Sequence, residues 1–246
     1  QRSNRIAHLF RKLGLSLGDT VAFFLNNTPT YLELAWAAQR AGLYFVCISS
    51  KLTASEVDYI VRDSGARLLV TTPAVGPAAE QLPALLPDVH LYSLAGKIEG
   101  YRSLENEVSG MPTVPIPDES AGTDMLYSSG TTGRPKGIRS ALPDDPDIAA
   151  PTAYSDLLRT MWGFDESTVY LSPAPLYHAA PLRSVMVVQK LGGTVVVMER
   201  FDEVEALRLI EAYKVTHSQW VPTHFVRMLK LPLETRSRYD VSSLRI

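Results

Sequence analysis

Apolar positions along the chain recur in two alternating rhythms. Ile6, Leu9, Phe10 and Leu13 fall at helical spacing and stop at Gly14, which predicts an amphipathic helix. Residues 21–25 form a short apolar run of strand length. Thr28-Pro29 predicts an N-cap followed by proline at the first helical position. That helix carries Leu32 and Trp36 and ends at Gly42, and residues 43–48 read as the next strand. Thr53-Ala54-Ser55-Glu56 has the pattern of a capping box, with Thr53 accepting from the Glu56 amide while Glu56 reaches back. The helix it opens stops at Gly65, and residues 68–71 form another strand.

The alternation continues with less regularity. Residues 73–87 are rich in proline and alanine and show neither period. A strand is predicted at 89–92, a surface connection at 111–117 and a strand at 123–127. Residues 128–137 read as a loop, and an acidic, proline-broken stretch covers 143–151. Helices near 155–162, 182–191 and 203–213 then alternate with strands at 169–171, 194–198 and 218–221. Strands separated by helices of this length are βαβ crossovers. The expectation is therefore an α/β chain with mainly parallel sheets flanked by helices. Two subdomains, 1–110 and 123–246, are expected to join near residues 111–123.

Composition narrows the function classes. Over 246 residues, 46% are hydrophobic and 20% charged, the balance of a globular chain with a sizeable core. A net charge of −2 leaves no basic excess to neutralise phosphates along a nucleic acid. No apolar run approaches the ~18 residues of a membrane span. The single cysteine, Cys47, has no internal disulfide partner, which points to a reducing, cytoplasmic setting. It lies in an apolar strand and reads as a buried thiol rather than a nucleophile.

The densest chemistry is the string Tyr127-Ser128-Ser129-Gly130-Thr131-Thr132-Gly133-Arg134-Pro135-Lys136-Gly137. Glycines let backbone N–H groups approach an anion closely, hydroxyls add neutral donors, and Lys136 and Arg134 add positive charge. That is an inventory for gripping a polyphosphate, although a polar surface loop has a similar composition. It is not the Walker loop. Pro135 stands where the second glycine is needed, and Gly137 replaces the magnesium-binding hydroxyl.

Other residues carry two readings each. His178 is either a hydrogen-bonding structural histidine or part of a pocket wall. Trp220 is either core packing or, with Thr223, lining of a site beyond a strand's carboxyl end. His217 and His224 lack cysteine partners for zinc. Asp144, Asp145 and Asp147 lack the glycine and glutamate of a calcium loop. No G-x-S-x-G elbow supports a serine hydrolase.

The string at 127–137 resembles the phosphate-binding signature of the adenylate-forming superfamily, [Y/T]-[S/T]-S-G-T-T-G-x-P-K-G, at every defining position. Leu171-Ser-Pro-Ala-Pro-Leu-Tyr-His178 resembles the family's P-[LM]-[FY]-H segment. Leu191-Gly-Gly-Thr194 resembles its G-G turn, and Trp220-Val-Pro-Thr-His-Phe225 its V-P-[TP] turn. Cys47-Ile48-Ser49 departs from a stretch that often holds proline in the family, and 143–147 looks like an insertion.

The resemblance implies a layered α-β-α-β-α body. It implies that a carboxylic acid, fatty or aryl, reacts with ATP and Mg2+ to give an acyl-adenylate, and that coenzyme A then takes the acyl group. It assigns ATP phosphates to Ser128, Ser129, Gly130, Thr131, Thr132, Gly133, Arg134 and Lys136, and the acyl pocket to Tyr177, His178, Trp220 and Thr223. Amino-acid-activating relatives carry an F-D pair where Tyr177-His178 stands, so an uncharged substrate tail is expected. Two alternatives stay open: an adenylation domain that loads a carrier protein, and a non-catalytic nucleotide-binding relative. The family's G-G-A-P, Y-G-x-T-E and T-G-D motifs do not occur in residues 1–246. The chain is thus expected to be an incomplete N-terminal AMP-binding domain, lacking the C-terminal domain, possibly oligomeric and inactive alone.

Overall fold

A computed structural model, describing residues 1–128 and 134–246, resolves the predicted alternation into two compact units, Gln1–Ala150 and Pro151–Ile246. The first unit runs α1 (Arg2–Lys12), β1 (Thr20–Phe24), α2 (Pro29–Arg40), β2 (Tyr44–Ile48), α3 (Ala54–Ser64) and β3 (Ala66–Thr71). It continues through α4 (Pro77–Leu85), β4 (His90–Ser93), β5 (Arg102–Ser103), α5 (Leu104–Ser109), β6 (Thr123–Ser128) and β7 (Lys136–Ile138). Its strands form one sheet in the order β5-β4-β3-β1-β2-β6-β7. Every neighbour pair is parallel except β6 and β7, which are antiparallel.

β1 lies centrally and all five of its residues are buried, because helices cover both faces. Successive side chains take opposite faces. The Phe23 ring meets Tyr31 of α2 at 6.1 Å and Phe45 of β2 at 6.2 Å. Phe24 joins Val46, Val57 and Ile60 beneath α3. Full burial of such a side chain contributes roughly 1.5–3 kcal/mol, which explains why this apolar run is legible as a strand.

Local signals held with some corrections. At the start of α3 the Thr53 amide donates to the Glu56 carboxylate at 2.8 Å, as expected. The Thr53 hydroxyl also donates to that same carboxylate at 2.7 Å. An ionised acceptor is the stronger partner for a hydroxyl. Gly65 ends the helix at φ 66°. Residues 73–87, which showed no clear period, contain α4, with Pro77 in its first turn and Pro83 inside it. The connection at 111–117 runs over α1, where Asn4 donates to the Thr113 carbonyl at 2.6 Å.

The joint expected near 111–123 falls inside the first unit. β6 continues its sheet in register with β2, Tyr44 opposite Thr123 and Val46 opposite Met125. Met125 thereby enters the core under α3, and the change of unit comes at Ala150 and Pro151.

The second unit runs α6 (Ala153–Trp162), β8 (Val169–Ser172), α7 (Ala179–Lys190), β9 (Thr194–Val197), α8 (Glu203–Tyr213), β10 (His217–Ser218), α9 (Pro222–Lys230) and α10 (Leu233–Arg236). Its parallel sheet has the order β10-β8-β9, so the winding reverses at β8. The strand predicted at 218–221 is shorter and earlier than expected, because Val221 is already the N-cap of α9. Leu171, Met198, Leu209, Ile210 and Val215 form the core on one side of the sheet. Among the described residues no helix is long and apolar enough to cross a membrane.

Candidate functional site

The predicted phosphate loop begins and ends in paired backbone. β6 and β7 form an antiparallel ladder that sets Leu126 opposite Ile138, Tyr127 opposite Gly137 and Ser128 opposite Lys136. The loop expected over 128–137 is thus narrower than its sequence suggested, since Ser128, Lys136 and Gly137 belong to strands. Ser129, Gly130, Thr131, Thr132 and Gly133 lie outside the described residues.

Three tyrosines hold the described part of this hairpin. The Tyr127 hydroxyl donates to the Asp63 carboxylate at 2.6 Å. Burial and that neighbouring carboxylate both raise the phenol's pKa, so it stays a donor. The Tyr59 hydroxyl donates to the Pro135 carbonyl at 3.2 Å. Beyond β7, the Tyr44 hydroxyl donates to the Ser140 carbonyl at 2.8 Å, and the Arg139 guanidinium lies 4.1 Å over the Tyr44 ring.

Gly137 is required by this arrangement. A Cβ there would stand 2.5 Å from the Met125 methyl and 2.8 Å from Cζ of Tyr127. The bare backbone lets the Tyr127 ring cross its strand partner and reach α3. Of the two predicted cations, Arg134 sits over the Tyr59 ring at 5.1 Å. Lys136 is exposed, and no carboxylate among the described residues pairs with it. Among the described residues no cluster of His, Cys, Asp or Glu could hold a metal.

The second unit contains a cavity of about 520 Å³. Tyr154, Leu158 and Trp162 of α6 form one wall, and Phe164, Tyr170 and Trp220 contribute further aromatic surface. Its polar atoms include the Tyr154 hydroxyl, 3.4 Å from the Ser184 hydroxyl. Among the described residues no Asp or Glu side chain lines it.

Of the four predicted pocket residues, Trp220 lines this cavity. It also packs edge-on against Phe201 at 6.1 Å. The Tyr177 and His178 rings meet at a tilt, 4.6 Å apart, ahead of α7 and do not line the cavity. Thr223 is exposed in the first turn of α9. The next residue, His224, turns inward instead. It stacks on Phe201 at 4.1 Å and takes the Val221 amide on Nδ1 at 3.4 Å.

His217 faces the cavity. Its Nε2 lies 2.9 Å from the Trp162 carbonyl, so that nitrogen carries the proton. Nδ1 is 2.8 Å from the Thr216 hydroxyl. His217 and His224 thus hold separate partners. Burial lowers the pKa of each. Cys47 is buried, and burial pushes its thiol up to about 12, which removes it as a nucleophile.

Sequence reasoning missed Tyr59 and Asp63, whose one-turn spacing on α3 was the available sign. It also missed the aromatic wall of α6, where Tyr154 and Trp162 read as ordinary helix residues.

The chain is 35% identical over 246 residues to a feruloyl-CoA synthase of Amycolatopsis sp, covering 100% of this chain and 46% of that protein. It is 31% identical over 232 residues to the fatty acid–[acyl-carrier-protein] ligase ScoC of Streptomyces coeruleorubidus, covering 94% and 44%. The chain thus spans about half the length of the curated relatives it matches. The ATP-bound structure of MatB from Rhodopseudomonas palustris superposes with a TM-score of 0.77 at 26% identity, over 100% of this chain and 47% of that one. The family model described as "AMP-binding enzyme" matches residues 1–246. From its first residue to its last, the chain belongs to the AMP-binding enzyme family.

Proposed function

We propose that the protein carrying this chain activates a carboxylic acid with ATP and transfers the acyl group to a thiol. A carboxylate oxygen attacks the α-phosphorus, the bond to the bridging oxygen breaks, and pyrophosphate leaves. A thiolate sulfur then attacks the acyl carbon and AMP departs. The observation that carries the reading is the antiparallel ladder joining Ser128 to Lys136 at the two ends of a serine-, threonine- and glycine-rich run. Such a run can hold a departing pyrophosphate through N–H and O–H donors, and Lys136 adds charge there. Ser129, Thr131, Thr132, Gly133 and Lys136 are the residues proposed to hold it. Arg134, seated on Tyr59, is assigned the support of the hairpin instead. Mg2+ would arrive on the ATP phosphates, as it commonly does.

The acid proposed is fatty or aryl. Transferring an α-ammonium group into an apolar cavity needs a carboxylate partner, and the described residues of the lining include none. Its volume lies within the usual range for small-ligand sites. Coenzyme A is the proposed acceptor, as the name of the feruloyl relative suggests. ScoC's name motivates a second reading, with a carrier-protein thiol as acceptor. Acid-dependent exchange of labelled pyrophosphate into ATP, run on the full-length protein with fatty, aryl and amino acids, tests the first step. Product analysis with coenzyme A or a carrier protein tests the second. Absence of exchange with every acid, or exchange driven best by an amino acid, overturns the proposal.

A further inference from the structure

We infer that Asp63 and Tyr59 are positioning residues for the phosphate hairpin, clasping its two strands from α3. The inference rests on the proposed ATP-dependent activation and deepens it. Tyr59 and Asp63 stand four residues apart, one turn along the helix, and so present the same face. Each takes one side of the hairpin. Asp63 accepts from Tyr127, the residue before Ser128, and Tyr59 donates to Pro135, the residue before Lys136. The Arg134 guanidinium caps the Tyr59 ring from the hairpin side. The two contacts therefore sit at the positions where the paired strands give way to the donor-rich run.

Tyr59 and Tyr127 pack on the edge of the unit's core, but the Asp63 carboxylate stands outside it. Asp63 is exposed, and the sheet and its covering helices are packed by Phe23, Phe24, Val46, Val57 and Ile60 without it. Removing its carboxylate leaves no cavity. It does remove the carboxylate that accepts from the Tyr127 phenol, and that ring crosses directly above Gly137. The strand pairing that presents Lys136 opposite Ser128 would then lose its side support. Donors aimed at a phosphate act by prior orientation, so loosening them weakens ATP recognition while the acid site is untouched.

The test uses the full-length protein and the variants Asp63→Ala, Asp63→Asn and Tyr127→Phe, together with the Asp63→Ala/Tyr127→Phe pair. Steady-state pyrophosphate exchange and equilibrium binding of ATP are measured, with melting temperature as the check on folding. Asp63→Ala should raise KM and Kd for ATP about tenfold, the low end for a hydrogen bond to a charged acceptor because the pair is exposed. KM for the acid should not change. Asp63→Asn, which keeps an acceptor, should stay close to wild type. The double variant should be no worse than Tyr127→Phe, because one bond is removed in either case. Unchanged ATP constants in Asp63→Ala, or an additive loss in the pair, overturns the clasp. If Asp63→Ala fails to fold, Tyr127→Phe removes the same bond and decides alone. The two readings fail differently. No exchange with any acid, but ATP binding that weakens in Asp63→Ala, sinks the activation reading and leaves the clasp. Normal exchange with an indifferent Asp63→Ala sinks the clasp alone.

Discussion

Replacing Gly137 by alanine places a methyl group where the hairpin has no room. The new carbon would lie 2.5 Å from the Met125 methyl and 2.8 and 2.9 Å from Cζ and the hydroxyl oxygen of Tyr127. Ordinary carbon contacts lie near 3.5–4.0 Å, so neighbours must retreat by about 1 Å. Met125 is buried at 6% exposure and can swing only into packed core. Overpacking of this kind costs roughly 1–3 kcal/mol. If the Tyr127 ring moves instead, its bond to Asp63 is stretched, adding about 0.5–1.5 kcal/mol. A loss of about 2 kcal/mol lowers the melting temperature by roughly 4–8 °C in a unit of this size. The proper control is Gly110→Ala. Gly110 has φ −92°, and a Cβ added there would meet nothing within 4 Å, so alanine should be neutral or slightly stabilising. Thermal melts of the two variants, with KM for ATP in pyrophosphate exchange, make the comparison. Gly137→Ala should melt lower and bind ATP more weakly. Melting and ATP constants indistinguishable from those of Gly110→Ala would show that the Tyr127 ring does not need the bare backbone.

Four further outcomes are expected. Thr131→Ala with Thr132→Ala should cut adenylation by roughly 10²-fold or more, the scale for losing transition-state donors; unchanged exchange removes those hydroxyls from the site. Trp220→Ala should raise KM for the acid and leave KM for ATP alone, with a stability cost of about 2 kcal/mol for a half-buried ring; an unaltered acid KM would detach Trp220 from substrate. His217 and His224 have pKa values below their ordinary 6.5, so the unfolded chain binds protons more readily than the folded one. Their penalty is absent above about pH 6.5 and grows as pH falls through it, at no more than about 1.4 kcal/mol per pH unit for each histidine. Urea midpoints from pH 8 to 5 should fall accordingly, and His217→Gln should flatten the fall; a pH-independent midpoint refutes it. The Cys47 thiol, pushed up to about 12, should react with a disulfide reagent at pH 8 only after unfolding; rapid labelling of the native protein would contradict its burial.

Much of the architecture was written in local pattern. The continuous apolar runs of β1 and β2 could only be strands buried on both faces, and Thr28-Pro29, Gly42 and Gly65 punctuated the helices between them. The phosphate run announced its chemistry because glycines, hydroxyls and a lysine in one string serve few other purposes. Where period was weak the reading failed. α4 hid behind Pro77 and Pro83, and β10 was placed late, because two residues carry no rhythm of their own.

Which residues share a site was a different kind of question. Asp63 and Tyr127 are 64 residues apart in the chain, and Tyr59 and Pro135 are 76 apart. Only the pairing of β6 with β2 brings the hairpin against α3. The cavity likewise gathers Tyr154, Phe164, His217 and Trp220 from separate segments, while leaving Tyr177, His178 and Thr223 outside its wall. Sequence alone determined the alternation of elements, the phosphate-binding composition and the family, because those depend on short-range order along the chain. The tertiary structure decided strand order, the place where one unit gives way to the next, what anchors the hairpin and what lines the cavity. Those depend on contacts between distant segments, which exist only once apolar faces have been buried against one another.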